Sequence, residues 1–589
     1  MNAIELIKDG VTSSVNTLYG QEIDSSKIVW NLTRKEFEGD FTVVVFPYTK
    51  LARKGPEQVA KEIGDFLVAN LDIVESYNVI KGFLNLVIAD SFWKGFLEKV
   101  YNTENYGKIA PNGRKVMVEF SSPNTNKPLH LGHIRNILLG WSTSRIMEMA
   151  GYEVIKVQIV NDRGVHICKS MVAWLKFGNG ETPESSGLKG DHLIGKYYVL
   201  YSKEETAQKA ALAEQGIEDD EPAILKEARA MLRKWENGDE DVIQLWKKMN
   251  GWVYDGFEAT YKNLGVHFDK YYYESDTYLL GKDIIADGLG KGLFYEKADS
   301  SVWIDLSDVR LDEKIVRRSD GTSVYMTQDL GTARLRFQDF GAEKMVYVVG
   351  DEQDYHFKVL FEILKRLGEP YAEGLYHLSY GMVNLPTGKM KSREGTVVDA
   401  DDLIHEVVYE AKSQSLERGE LLGLEESEKE VIWKDIGLSA LKYHMLKVHP
   451  KKSMLYDPKE SLELQGQTGP YIQNAYVRVA GVFRNLASEF SASKMMEYEK
   501  LESHEKETLL LLHQFPAVVQ SAASEYDPSE IAHYAYDLAK TYHRFYHEHS
   551  ILKAPSDAAK SFRLALSQAV GNVLGSAMDL LGIEMPERM

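Results

Sequence analysis

The chain has 589 residues, 44% apolar and 27% charged, which fits a folded chain of about four domains and excludes global disorder. Its 69 basic residues stand against 88 acidic ones, a formal charge of −19, which excludes indiscriminate nucleic-acid binding but not a local basic patch for one RNA. The single cysteine, Cys168, excludes an internal disulfide and a Cys-rich zinc site and fits a reducing cytosol.

The longest apolar runs, at 43–46 and 509–512, fall far short of the ~20 residues of a membrane span. Glu5 and Asp9 with no basic stretch beside them do not read as a signal peptide. Residues 1–18 place Ile4, Leu6, Ile7 and Val11 at helical spacing. Residues 41–46 (FTVVVF) predict a buried strand, 57–69 a second helix, and 77–88 a strand–turn–strand around Gly82. The polar stretch 101–113 predicts a linker. Beyond it, 115–120 (KVMVEF) predicts a strand and 131–150 a helix with Ile134, Leu138, Trp141, Arg145 and Met149 on one side. Gly151 stops that helix, and 153–160 (EVIKVQIV) is the next strand. This βαβ order implies a parallel sheet with a ligand at the strand C-termini. Residues 203–248, rich in Ala, Glu, Lys and Leu, predict helices inserted into the α/β domain. Residues 344–350 (KMVYVVG) give another buried strand, and from about 415 the chain reads as helical. Asp527-Pro528-Ser529-Glu530 is a helix start with Asp as N-cap and Pro at the first position, and Gly469-Pro470 opens a further helix.

Two segments carry chemistry. The string from Ser121 to His133 (SSPNTNKPLHLGH) joins a strand to a helix. His130 and His133 share one face at the helix start, where free N–H groups and the helix dipole attract an anion. Gly132 between them admits a flat ring or ribose. Two imidazoles on a helix N-terminus form a phosphate cradle suited to a pentacovalent α-phosphate. Two capping histidines are the competing reading, disfavoured by the preceding strand and Pro128. H-x-G-H by itself also fits small nucleotidyltransferases. The second segment, 388–398 (GKMKSREGTVV), is a glycine-bounded loop with cations at Lys389, Lys391 and Arg393. Mobile cations suit a pyrophosphate leaving group, although alone such a loop also reads as a solvated basic turn.

Together the two segments resemble the paired HIGH and KMSKS signatures of class I aminoacyl-tRNA synthetases, standing here as His130-Leu131-Gly132-His133 and Lys389-Met390-Lys391-Ser392-Arg393. The second departs from the pattern at Ser392, where the family has Lys, leaving Lys391 and Arg393 as candidates for its role. The string 119–133, with 319–329 (SDGTSVYMTQD) and 349–356 (VGDEQDYH), is similar to the arginyl-tRNA synthetase family. That resemblance implies arginine bound by Glu119, Ser121, Asn124, Tyr325, Asp329 and Gln353. It implies ATP bound by Pro128, His130, Gly132, His133, Gly350, His356, Met382 and Lys389, with His130, His133, Lys389, Lys391 and Arg393 as the catalytic set. Ser439-Ala440-Leu441-Lys442 keeps the middle two residues of the family's D-A-L-R signature, and Lys442, Tyr471, Tyr476 and Arg478 are the candidate tRNA contacts.

The implied fold class is multidomain α/β plus α. A small N-terminal α/β domain (1–108) contacts tRNA. A Rossmann-like class I catalytic domain (109–415) carries insertions at about 181–310. A helical anticodon-binding domain spans 416–589. The implied reaction is ATP-dependent ligation of arginine to tRNA(Arg) by a cytoplasmic monomer, with ATP entering as its magnesium complex and no protein-bound metal. Another H-x-G-H nucleotidyltransferase, or a class I synthetase of different specificity, is the alternative; some 170 helical residues after the nucleotide fold speak against the former.

The residue chemistry agrees with arginine. A guanidinium is a permanent cation with five donors in a planar fork, and Asp329, Tyr325 and Gln353 are suitable acceptors. Such a pocket rejects analogues by factors of roughly 10⁴–10⁵ without editing, and the 256 positions from His133 to Lys389 leave no room for a large editing domain beside half a nucleotide fold and a helical insert. For tRNA, basic residues of the helical region interleave with Tyr443, Tyr471, Tyr476 and Tyr542, which can stack splayed bases or form helical core.

Overall fold

The computed structural model describes residues 3–216, 221–384, 398–419, 421–486 and 492–589. At the N-terminus, helix Pro56–Asn70 packs on an antiparallel sheet of β1 (Trp30–Leu32), β2 (Phe41–Val44), β3 (Val74–Ile80) and β4 (Phe83–Ile88), in the order β1-β2-β4-β3, and helix Ala3–Tyr19 packs on that helix. Lys81 and Gly82 take φ of 52° and 81°, the left-handed pair that a two-residue hairpin needs to follow strand twist.

The central sheet is parallel. β5 (Lys115–Glu119), β6 (Glu153–Val160), β7 (Lys270–Tyr273), β11 (Lys344–Gly350) and β12 (Leu375–Tyr380) lie in the order β12-β11-β5-β6-β7. Val116, Met117, Val118 and Val346 are fully buried because both faces of the sheet are covered, which is why these strands read as continuous apolar runs. The chain runs outward from β5 through β6 to β7 and then returns to β11. Strand order therefore reverses between β5 and β11, and a crevice opens there at the strand C-termini. β8 (Tyr295–Glu296), β9 (Val302–Ile304) and β10 (Lys314–Arg317) form a separate antiparallel sheet.

Two expectations change. Helix Leu131–Met149 has no single apolar side: Ile137, Leu139 and Ile146 are buried along with Ile134 and Leu138. The helix is sandwiched between the sheet and the C-terminal bundle, where Ser142 Oγ donates to the Leu580 carbonyl (2.8 Å). The stretch 181–310 is not one continuous insertion. Helices Gly190–Glu214, Ala223–Glu236 and Glu240–Leu264 are inserted, but β7 then extends the main sheet.

The C-terminal region packs helices Glu426–Leu446, Gly469–Arg484, Ser503–Glu525, Pro528–Glu548 and Asp557–Leu580. Asp527 and Thr468 cap two of them, accepting from Ser529 N and Tyr471 N. The N-terminal unit docks on this bundle. Phe41, Phe92, Trp93 and Phe96 enclose His513 at ring distances of 5.4 to 6.4 Å, and Ala3 N donates to His513 Nε2 (3.2 Å). Burial pushes His513 down to about 4.

Candidate active site

The segment leaving β5 is strained. Ser121 and Ser122 have φ of 73° and 44°, successive left-handed positions that non-glycine residues hold only when surrounding contacts compel them. Asn136, one turn into the following helix, supplies those contacts. Its Oδ1 accepts from Ser121 N (2.5 Å), and its Nδ2 donates to the Val348 carbonyl of β11 (2.7 Å). One buried amide thus spans the strand reversal.

His130 caps that helix. Its Nδ1 accepts from Gly132 N (3.1 Å), while His130 N donates to His133 Nδ1 (3.2 Å). With both Nδ1 atoms accepting, the neutral rings carry their protons on Nε2. Burial, with the Lys127 ammonium adding, pushes His130 down to about 4; burial, His130 and Lys127 hold His133 well below the ordinary histidine value. The pair, with ring centres 3.9 Å apart, is therefore two neutral N–H donors and not two cations. His130, Gly132 and His133 line a cleft of about 350 Å³ with Ser122, Gly350 and Met382. A Cβ at Gly350 would sit 2.3 Å from a Glu352 carboxylate oxygen.

Lys389, Lys391 and Arg393 lie outside the described residues. The flanks of their loop are placed. Val383–Asn384 (β13) pairs with Met454–Leu455 (β14), and on the far side Leu131 N donates to the Val398 carbonyl (3.1 Å) and Ala400 N to the Leu129 carbonyl (3.0 Å). Asn384 and Val398 thus bracket the helix that the histidines open. Arg135 ties this helix to the C-terminal half, donating to the carbonyls of Pro450 (3.1 Å) and Lys452 (2.8 Å).

On the other side of the same turn lies a second cleft, of about 1000 Å³, lined by Asn124, Arg163, Glu274, Tyr325 and Gln328 among others. Helix Tyr325–Phe340 places Tyr325, Asp329 and Arg336 on one face. Tyr325 is 74% exposed, and Asp329 Oδ2 lies 2.6 Å from His356 Nε2. Glu274 follows β7 directly. Burial pushes it up to about 7, opposed by Arg163 and reinforced by Asp162 and Asp329. Sequence reasoning missed this residue. Its signal is weak: an acid immediately after an aromatic strand end (YYYE).

Several sequence-derived assignments stand elsewhere. Glu119 is buried at the end of β5 and already paired with Arg336. The Ser121 hydroxyl turns inward to Tyr261 OH (2.7 Å). Pro128 packs against the inserted helix at Gly195 and faces another cavity. His356 serves Asp329 and is not in the nucleotide cleft. Gln353 sits on an exposed turn after β11. Lys442 is corrected outright as a tRNA contact: it is 4% exposed, its ammonium donates to the Gly582 carbonyl, and burial pushes it down to about 8. Tyr443 and Tyr542 are core, bonded to the Ala532 carbonyl and the Ser567 hydroxyl. Tyr471 and Tyr476 are half-buried, and the Arg478 guanidinium lies 5.4 Å over the Tyr546 ring. Among the described residues no helix is long and apolar enough to cross a membrane.

A parallel sheet with a strand reversal, opening onto a helix capped by H-x-G-H and followed by a helical bundle, defines the class I aminoacyl-tRNA synthetases. Family models agree segment by segment: arginyl tRNA synthetase N terminal domain over 5–88, tRNA synthetases class I (R) catalytic domain over 97–457, and DALR anticodon binding domain over 472–589. The chain is 52% identical to an arginine–tRNA ligase of Phocaeicola vulgatus, over 100% of both chains, and 53% identical to one of Bacteroides thetaiotaomicron, over 98% of both. Its fold matches Thermus thermophilus arginyl-tRNA synthetase at a TM-score of 0.80 and 24% identity, covering 100% of both chains. The chain belongs to the arginyl-tRNA synthetase family.

Proposed function

We propose that the chain ligates arginine to its tRNA through an arginyl-adenylate. The observation that carries this reading is that one turn walls both clefts: Ser122 faces the histidine side, and Asn124 faces the cleft that holds Glu274 and Tyr325. A substrate with its cationic head among Asp329, Glu274 and Tyr325 therefore presents its carboxylate toward the His130–His133 pair. An oxygen of that carboxylate attacks the α-phosphorus of ATP, the bond to the β-phosphate oxygen breaks, and diphosphate leaves. The two Nε2–H groups donate to the α-phosphate oxygens as charge builds on them. The work is positioning and electrostatics, with no protein base required. The activated carboxyl then passes to a terminal ribose hydroxyl of the tRNA, releasing AMP.

ATP enters as its magnesium complex, the ion travelling with the substrate. Residues 109–415 perform the chemistry, while 1–108 and 416–589 hold the tRNA, with Arg478, Tyr471 and Tyr476 as contacts. The protein acts as a cytoplasmic monomer. Lys389 neutralises the departing diphosphate, and Lys391 or Arg393 supplies the second cation that Ser392 lacks.

The test is aminoacylation of total tRNA with each of the twenty amino acids. Arginine alone should be attached; attachment of any other would overturn the specificity. Lys389→Ala should slow activation strongly, and normal turnover by both single variants at Lys391 and Arg393 would show that the loop works with one cation.

A further inference from the structure

Four segments far apart in the chain meet beside the histidine pair. Leu131 N donates to the Val398 carbonyl and Ala400 N to the Leu129 carbonyl, and Asp399 pairs with His130 as an isolated antiparallel bridge. The backbone of 398–400 therefore brackets His130 on both sides. Asp399 caps helix Ala400–Arg418 with one carboxylate oxygen, Oδ1, which accepts from Asp401 N (2.8 Å) and Asp402 N (3.2 Å). The other oxygen, Oδ2, lies 3.1 Å from His192 Nε2. His192 stands in the first turn of the inserted helix Gly190–Glu214, and its Nε2 also lies 3.3 Å from Asp401 Oδ2.

Lys189, immediately before that helix, extends the cluster. Its ammonium pairs with Asp401, lies 3.2 Å from the buried Asp191 carboxylate and donates to Thr260 Oγ1 (2.6 Å) on helix Glu240–Leu264. The Thr260 hydroxyl in turn donates to Asp401 Oδ1 (2.9 Å). The Asp399 and Asp401 carboxylates push His192 up to about 10 against the opposing effect of burial, so at neutral pH the ring is a cation. A second contact joins the same parts: a Cβ at Gly195 would come 2.6 Å from Pro128 Cδ, so the inserted helix runs directly against the chain two residues before His130. A cluster that only stabilised the insert would close within it; this one ends on the segment bonded to either side of His130. The cradle's N–H groups act only where they meet the developing charge, and a displacement of about 1 Å costs roughly a hundredfold in rate.

We propose that His192 and Lys189 are positioning residues for adenylate formation: through Asp399 and Asp401 they hold the 398–401 segment against the inserted helices, and that segment sets the place of His130. This rests on the reading of the chain as an adenylate-forming enzyme.

The test uses the full chain with tRNA present and measures kcat for arginine-dependent exchange of diphosphate into ATP, with KM for arginine and for ATP. His192→Gln keeps a neutral donor and removes the charge. It should lower kcat by roughly tenfold to a hundredfold and leave both KM values within about threefold. His192→Lys has room for a longer cation in the cavity that His192 lines beside Pro128, and it should recover most of that loss. Asp399→Asn, which can still cap its helix, should reproduce the His192→Gln effect, and the two together should be no worse than the poorer single variant. Lys196→Gln cuts an ion pair with Glu181 inside the insert and should leave kcat unaltered. Normal kcat in His192→Gln, a KM for arginine that rises as much as kcat falls, no recovery in His192→Lys, multiplicative single effects, or an equal fall in Lys196→Gln would each overturn the proposal. If His192→Gln does not fold, Asp399→Asn decides by the same kcat measurement: a fall at unchanged KM supports the proposal and normal kcat overturns it. Failure of the functional reading is seen separately, as wild-type protein that does not attach arginine.

Discussion

The two clefts on either side of the 119–124 turn are built on opposite electrostatic plans. On the proposed reading the nucleotide side meets the most highly charged substrate with neutral groups, two imidazoles held uncharged by burial, while the backbone N–H groups of 130–134 are already engaged within the chain. The other cleft carries the acid Glu274, with Asp329 paired to His356 on the neighbouring helix and Glu119 tied to Arg336, and on the proposed reading it is the side that meets a single cation. Neutral donors suit a transition state, where charge shifts between phosphate oxygens and must not be trapped in the ground state. Fixed charges suit selection, where an unpaired ion in a closed site is costly. The division predicts that variants on the two sides fail in different kinetic parameters.

The largest effect should come from Asp329→Asn, which keeps shape and removes charge. Losing one partner of a hydrogen-bonded charge pair costs about 2–5 kcal/mol, so kcat/KM for arginine should fall by roughly 30-fold to several thousand-fold, with KM for ATP nearly unchanged. Citrulline sharpens this, having arginine's shape and a neutral head. The variant should narrow the arginine-over-citrulline preference, and an unaltered preference would move the guanidinium seat to Glu274 alone.

His133→Ala should act on the other parameter. With one Nε2–H donor gone, kcat for adenylate formation should drop by roughly 10²–10³, the scale of losing one oxyanion donor, while KM for ATP moves little. A variant that instead raised KM for ATP at normal kcat would make the histidines ground-state binders and erase the contrast between the clefts.

A smaller effect is a pH dependence confined to the amino-acid side. Burial pushes Glu274 up to about 7, outweighing the Arg163 guanidinium. It is a proton-bearing neutral acid below that value and an anion above it. KM for arginine should therefore rise by roughly tenfold on going from pH 8 to pH 6, and Glu274→Gln should flatten that profile at the higher KM. The histidine pair, already neutral across this range, should contribute no matching change to KM for ATP.

The smallest effect lies outside both clefts. Arg478→Gln should lower the salt dependence of tRNA binding by about one phosphate contact. Lys442→Met should leave it unaltered, because that ammonium faces the Gly582 carbonyl and not solvent. A loss of slope on Lys442→Met would mean the C-terminal helices open when tRNA binds.

The residues that were legible in the sequence are those with near partners or a local pattern. The helix start at Asp527, the turn at Gly82 and the histidine cap form hydrogen bonds with residues within a few positions, and the strands at 153–160 and 344–350, whose ladder partners are distant, showed through their continuous apolar composition. Their spacing therefore carries their structure. Even the helical phase of Tyr325 and Asp329 was available from a separation of four. The residues that were not legible are those whose state depends on what surrounds them. Lys442 looked like a phosphate contact because lysine usually faces water; only the packing of helix Glu426–Leu446 against the chain end at Gly582 buries it. Glu274 looked like one acid among 88 acidic residues until β7 joined the parallel sheet and aimed it into the cleft. Glu119 and Arg336 are more than two hundred positions apart, and neither shows in sequence that the other cancels its charge. Local geometry follows from short-range hydrogen bonding and periodicity, so the sequence alone determined the elements, the histidine cradle and the family. Burial and pairing of charge are long-range and depend on which surfaces meet, so the tertiary structure alone decided that Glu274 lines a cleft, that Glu119 is paired with Arg336, and that Lys442 is interior.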